Sequence, residues 1–171
     1  MNHTLKSRLL LVLLSLAVVI SDRASKVWVV HNIFLWQERV VIPGFFHLTH
    51  LENRGAAFGI LTQNPSDIKL WLLIGFSIIA LLVVCFIFFR ATFSKIAGIG
   101  LALIVGGAVG NLWDRVASGY VVDFLDFFIR VGGRRYDYWA FNLADSAIVM
   151  GACLLMYELL FVRHASDPEP E

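Results

Sequence analysis

The chain has 171 residues, of which 58% are hydrophobic and 16% charged, against roughly 45–50% apolar and about 25% charged in ordinary globular chains. A soluble fold of this size cannot hide that much apolar surface, so lipid is the solvent for much of it, and residues 1–171 read as one integral membrane domain. Fourteen Lys and Arg against thirteen Asp and Glu leave a net charge of +1, which excludes a nucleic-acid partner; Cys85 and Cys153 lie in apolar runs, which argues against a disulfide framework or a zinc site.

The first apolar block, Leu9 to Ile20, is short and must extend to Val30 to span, so a helix over 9–30 is expected to carry Asp22, Arg23 and Lys26. Lys6 and Arg8 before it suggest a signal peptide, but Asp22 and Arg23 occupy the place of the small-residue cleavage pattern, and an uncleaved helix is the better reading. In the following loop, 31–69, Val40-Val41-Ile42 and Phe45 to Leu51 are strand-like runs about a Pro43-Gly44 turn. Leu70 to Phe89 is free of charge and long enough for a hydrocarbon core of roughly 30 Å. Helices over 96–113 and 140–162 complete the set, with a second long loop over 114–139. The proline-rich acidic tail, 164–171, is expected to be disordered. The fold class predicted is an all-α membrane protein, with four transmembrane helices capped by a small extracytoplasmic β-sheet and loops. Both halves enter from the same side, unlike an inverted-repeat transporter. The long loops hold more Lys and Arg by count, but the short segments 1–8, 90–95 and 163–171 are denser in them, which puts both termini in the cytoplasm.

Acids beside membrane helices need a reason, because an Asp at a helix centre costs about 2.5–3.5 kcal/mol on insertion scales. Asp22, Asp114, Asp123, Asp126 and Asp145 all fall near the outer boundary. Asp145 has two readings: a helix-start residue three positions after an Asn142 N-cap, or a catalytic carboxylate. Asp114 ends the third predicted helix, where negative charge is disfavoured; it is either ion-paired, with Arg115 beside it, or catalytic. Asp123, between Val122 and Phe124, fits a water-facing amphipathic segment less well than Asp126 does. Ala102, Gly106 and Gly110 share one helix face and permit close helix approach, with Gly107, Asn111 and Asp114 on the neighbouring face. No G-x-S-x-G or H-E-x-x-H motif occurs. His47 and His50, three apart in a strand, point to opposite faces, and the adjacent Ser25 and Lys26 point apart on a helix. A pair of carboxylates remains. Two readings compete with carboxylate catalysis: a small transporter or channel subunit using the acids as a proton or cation relay, and a non-catalytic assembly factor.

Five stretches, in order, resemble the bacterial lipoprotein signal peptidase family (signal peptidase II), aspartyl proteases of the cytoplasmic membrane. They are Asp22-x-x-x-Lys26, Asn53-Arg54-Gly55-Ala56-Ala57-Phe58-Gly59, Gly110-Asn111-Leu112-Trp113-Asp114-Arg115, Val121-Val122-Asp123-Phe124 and Phe141-Asn142-Leu143-Ala144-Asp145-Ser146. The resemblance implies that Asp123 and Asp145 are the catalytic dyad. It implies supporting or substrate-binding roles for Asn53, Gly55, Asn111, Asp114, Arg115, Asn142, Asp22 and Lys26. It further implies a multi-pass inner-membrane enzyme, expected to be monomeric, with its site near the extracytoplasmic face. The substrate it implies is a prolipoprotein whose lipobox cysteine bears a diacylglyceryl group, cut just before that cysteine. Membrane lipid is the other partner, and neither metal nor cofactor is called for. The outer sheet and loops are expected to close over the scissile bond.

Overall fold

The computed structural model describes residues 5–55, 67–90 and 93–162. Helix α1 (Leu5–Asn32) leads into strands β1 (Glu38–Ile42) and β2 (Phe46–Asn53); α2 (Asp67–Arg90) and α3 (Lys95–Ser118) follow. Strands β3 (Val121–Val131) and β4 (Arg134–Asp137) precede α4 (Leu143–Tyr157), which ends in a π-helical turn, Glu158–Val162. Among the described residues, three segments are long and apolar enough to cross a membrane: Leu70–Arg90, Lys95–Ser118 and Leu143–Phe161. The 28-residue α1 is long enough, but Asp22, Arg23 and Lys26 in its C-terminal half keep it from that set. The predicted tail over 164–171 and the family stretch Ala56 to Gly59 lie outside the described residues.

Helix α3 is the centre of the bundle, against which α1, α2 and α4 pack. Small residues make this possible on two faces. A Cβ on Gly106 would lie 2.7 Å from the Ser15 carbonyl oxygen of α1, and one on Gly110 would lie 2.8 Å from Asp22 Oδ2. Toward α4, Gly100 and Gly151 meet backbone to backbone, and a Cβ on Gly107 would collide with the Ala144 carbonyl oxygen. Ser15 Oγ adds an interhelical bond, donating to the Ala102 carbonyl at 2.8 Å. Such seams let polar groups on neighbouring helices reach one another inside an apolar bundle.

The four strands form one antiparallel sheet in the order β1-β2-β3-β4. Gly44, with φ 78°, makes the turn expected at Pro43-Gly44. Val122 and Phe124 pack on Val29 and Ile33 at the end of α1, which seats the sheet on the bundle. The sheet is larger than the sequence suggested. Strand β3 opens buried on both sides from Val121 to Phe124, so it lacks the alternation that marks a half-exposed strand.

Helix α3 also runs five residues beyond its predicted end at Trp113. Asp114 and Arg115 are inside the helix, which stops at Gly119 with a left-handed φ of 79°. The expected Asp114–Arg115 pair does not form, since adjacent helical side chains diverge. Asp114 pairs instead with Arg23 and Lys26 of α1.

Replacing Gly107 by Ala forces α3 and α4 apart at the N-terminus of α4. Overpacking of this kind costs about 1–3 kcal/mol. Thermal unfolding in detergent is expected to show a lowered Tm for Gly107→Ala. Gly75→Ala, where nothing lies within 4 Å of the added carbon, should not lower it; equal effects would remove the close-approach argument.

Candidate active site

Two backbone devices bring Asp123 and Asp145 together. The Gly119 cap, whose N–H donates to the Arg115 carbonyl at 3.0 Å, turns the chain sharply from α3 into β3. Asp123 follows as the third residue of that strand. On the other side, Phe141 forms an antiparallel bridge to Leu125, with Leu125 N–H donating to the Phe141 carbonyl at 2.8 Å and the return bond at 3.1 Å. The bridge holds the start of α4 against β3.

Asn142 then ties the two acids through one side chain. Its Nδ2 donates to Asp123 Oδ1 at 2.7 Å, and its Oδ1 accepts the Asp145 backbone N–H at 2.9 Å. The Asn142 N–H in turn donates to Asp145 Oδ2 at 3.3 Å, closing a capping box. The capping and catalytic readings of Asp145 therefore do not exclude each other: the same carboxylate caps α4 and faces the site.

The other two asparagines follow the same rule. Asn53 Nδ2 donates to Asp123 Oδ2 at 2.8 Å while its Oδ1 accepts the Gly55 N–H at 2.9 Å. Asn111 Nδ2 donates to Asp145 Oδ1 at 2.7 Å while its Oδ1 accepts from Lys26 Nζ at 3.1 Å. Each amide has its oxygen held by a donor, so each turns its NH2 toward a carboxylate. All four oxygens of the pair accept an N–H.

Behind the pair lies a sealed ionic cluster. Lys26 is 1% exposed and Asp22 fully buried. Lys26 Nζ is 2.7 Å from Asp22 Oδ2 and 2.8 Å from Asp114 Oδ2, and Arg23 pairs with Asp114 from the cluster's edge. Asp22 Oδ1 accepts the Ala144 N–H at 3.0 Å, a further hold on the first turn of α4. Arg23 is the residue that sequence reasoning missed. The sequence marks it only as a charge, and no local pattern pairs it with a residue ninety-one positions away. Arg115 donates to the Asn111 carbonyl at 3.4 Å, and its charge reaches Asp114, Asp123 and Asp145.

Asp126 is not the water-facing acid the sequence suggested. It is 7% exposed and accepts from Arg135 Nη2 at 2.8 Å. Arg135 also pairs with Glu38 and Asp137 and lies 4.0 Å over the Phe128 ring. Glu38, His47 and Asp126 are the described residues whose donor atoms gather closely enough for a metal, all within 4.8 Å. Arg135 already supplies a cation there, paired with both Glu38 and Asp126. His47 Nδ1 meets Glu38 Oε2 at 2.8 Å, whereas His50 Nδ1 meets the Ile33 carbonyl at 2.9 Å. The two histidines thus serve separate contacts.

Burial pushes the Asp123 carboxyl from its ordinary 3.8 up to about 7, and the neighbouring Asp145 charge adds to the rise; the amides of Asn53 and Asn142 oppose it. Desolvation and a like charge both disfavour the ionised form. The pair can thus hold one proton near neutrality while keeping one charge. That is the acid and base set for adding water across a carbonyl.

A family model described as signal peptidase (SPase) II matches residues 14–161. The lipoprotein signal peptidase of Burkholderia multivorans is 42% identical over 153 residues, 89% of each chain. That of Solibacter usitatus is 41% identical over 140 residues, 81% of this chain and 83% of its own. Two bacterial membrane enzyme structures obtained by the in meso method are also similar. The one at 2.3 Å resolution has a TM-score of 0.78 and 32% identity, covering 94% of this chain and 93% of that one. The one at 1.9 Å has a TM-score of 0.75 and 34% identity, covering 88% and 92%.

The folded protein binds the Asp123 proton more tightly than the unfolded chain does. The associated stability is fully present below the unfolded value near 3.8 and is lost as pH rises through about 7. Infrared difference spectra should show a protonated carboxyl band that disappears across this upper range. The same band should titrate at lower pH in Asp145→Asn, which removes the neighbouring charge. A band with an unchanged midpoint would mean that Asp145 does not act on Asp123.

Proposed function

The chain belongs to the signal peptidase II family, and on that premise we propose that it is an aspartic endopeptidase whose dyad is Asp123 and Asp145. It is a bacterial membrane hydrolase that removes signal peptides from prolipoproteins. The observation that carries the dyad is Asn142, whose side chain donates to the Asp123 carboxylate and accepts from the Asp145 backbone, while its own N–H meets the Asp145 carboxylate.

Near pH 7 two adjacent carboxylates do not both ionise cheaply, and they share one proton. Asp123, with its proton held up to about 7, is the acid of the pair, and Asp145 is the base. Asp145 draws a proton from a water molecule, which attacks the scissile carbonyl; Asp123 donates to the carbonyl oxygen. The tetrahedral species collapses as a proton returns to the leaving amine. No covalent enzyme intermediate forms, and the sequence of steps needs no cofactor. Asn53, Asn111 and Asn142 hold the carboxylates with donors, and Gly55 fixes Asn53 through its N–H. Asp22, Lys26 and Asp114 hold α1, α3 and α4 in register behind the pair. Arg115, whose charge reaches both acids, is the group placed to bind negative charge developing on the substrate.

The substrate in this reading is a prolipoprotein whose lipobox cysteine carries a diacylglyceryl group, cut just before that cysteine. It arrives by diffusion in the membrane, which suits a site at the end of a helical bundle. In the same reading α1 is the fourth span, both termini are cytoplasmic and the site faces the extracytoplasmic side. One chain supplies the whole constellation, in keeping with a monomer. A proton or cation relay is not favoured: within α1 to α4 no Asp or Glu lies between Leu9 and Ser21, Leu70 and Phe89, Ile96 and Trp113, or Ser146 and Tyr157, so no acidic path crosses the midplane.

Asp123→Asn and Asp145→Asn each keep size and polarity but remove the titrating group. Each should lower cleavage of a diacylglyceryl-modified prolipoprotein by at least about 10²-fold in detergent, the scale of lost general acid or base catalysis. Asp137→Asn, at the exposed end of β4, should cleave normally. Near-normal cleavage by either dyad variant, with folding intact, would sink the two-aspartate mechanism.

A further inference from the structure

We propose that Lys26 is a positioning residue of the dyad: by occupying Asn111 Oδ1 it fixes which end of that amide faces Asp145, and so aims an N–H donor at the carboxylate of the base. The inference rests on the dyad reading above.

The two ends of an Asn side chain are nearly equal in shape and opposite in function. With Nδ2 toward Asp145, Asn111 donates to a carboxylate; turned over, it would present an oxygen to an oxygen and favour a protonated acid. The orientation is therefore a setting of the base. For Asn53 and Asn142 the setting is made by backbone N–H groups, those of Gly55 and Asp145. For Asn111 it is made by a side chain, Lys26 Nζ at 3.1 Å. An ammonium has donors and no acceptor, so the Asn111 NH2 cannot turn toward it. The lysine is 1% exposed, which leaves water little access to take its place.

The surrounding charges keep the device in one state. Asp22 and Asp114 face Lys26 from α1 and α3, and Arg23 offsets the second of these acids. These two acids and two bases carry no net formal charge, Arg23 lying at the exposed edge of the cluster. Asp145 is faced by Asp123 from β3 and by Arg115 from α3; its oxygens accept from the Asn142 N–H and from the Asn111 amide that Lys26 holds.

The test is the pH–rate profile of purified enzyme in detergent, with a diacylglyceryl-modified prolipoprotein as substrate. Five proteins are compared with the parent: Lys26→Met, the charge-balanced Asp22→Asn/Lys26→Met, Asn111→Ala, Lys26→Met/Asn111→Ala and Asp145→Asn. Losing the N–H on Asp145 disfavours its ionised form. The acid limb of kcat should then move to higher pH by about one unit, with KM within about twofold. Lys26→Met should add no further shift once Asn111 is Ala. The charge-balanced pair carries the comparison if the single lysine variant does not fold. Asn111→Ala keeps all four charges and the ion pairs of the cluster, and an unmoved acid limb in that variant alone overturns the inference. Additive shifts in the double variant overturn it too, because they would mean that Lys26 acts by another route. Cleavage by Asp145→Asn with an unchanged profile would instead overturn the dyad reading; an inactive Asp145→Asn alongside unmoved limbs would remove only the role of Lys26.

Discussion

A charge enclosed in an apolar bundle must be matched at short range, because the desolvation cost of each unpaired ion is several kcal/mol. Lys26 is such a charge, and its partners come from more than one helix: Asp22 from α1 itself, Asp114 and Asn111 from α3. Asp22 extends the same cluster to the backbone of α4 at Ala144. Three helices are thereby held at one height, which is the height at which the site is built. The small residues on α3 follow from this requirement. Charged groups this short can meet only where backbones approach closely, and Gly106, Gly107 and Gly110 allow it.

The site itself is made where a sheet meets the bundle. One carboxylate rides on a strand and the other on the first turn of a helix, so neither element alone fixes their relation. The Phe141–Leu125 bridge fixes the backbones, and Asn142 meets both carboxylates, that of Asp123 through its side-chain amide and that of Asp145 through its backbone N–H. Asp123 is raised by burial, yet both of its oxygens receive an N–H. This balance matters. Burial alone would leave a neutral acid with no tendency to give up its proton, and hydrogen bonding alone would leave a permanent anion.

The sequence displayed the parts that depend on local pattern. Leu70 to Phe89 is apolar without interruption, and α2 occupies Asp67–Arg90; Pro43-Gly44 announced its turn. The end of α3 was hidden because Asn111, Asp114 and Arg115 look like a helix terminus when their partners are unknown. Those partners lie on α1 and α4, and only the folded arrangement makes a polar helical turn tolerable there. Strand β3 was hidden because burial on both faces erases the period of two. The ion pair between Arg23 and Asp114 and the Arg135 cluster across the four strands likewise have no local signature. The two aspartates were legible as unusual acids, but their relation to one another came only through resemblance to a family. Spacing along the chain carries no information about a contact between a strand and a helix twenty-two positions apart.

The tight junction at Gly119 bears on where this chain can change in length. Four positions separate that glycine from Asp123, and the strand begins at Val121 with side chains alternating between faces. One added residue in this stretch would turn Asp123 to the opposite face of the sheet, away from Asn142 and toward α1. The hairpin between β3 and β4 is under no such constraint, since Gly132 and Gly133 have open space about them and lie far along the strand from the site. Insertions, epitope tags and natural length variation are therefore tolerable at the hairpin and forbidden at the junction, although both look from outside like short turns flanking the same strand.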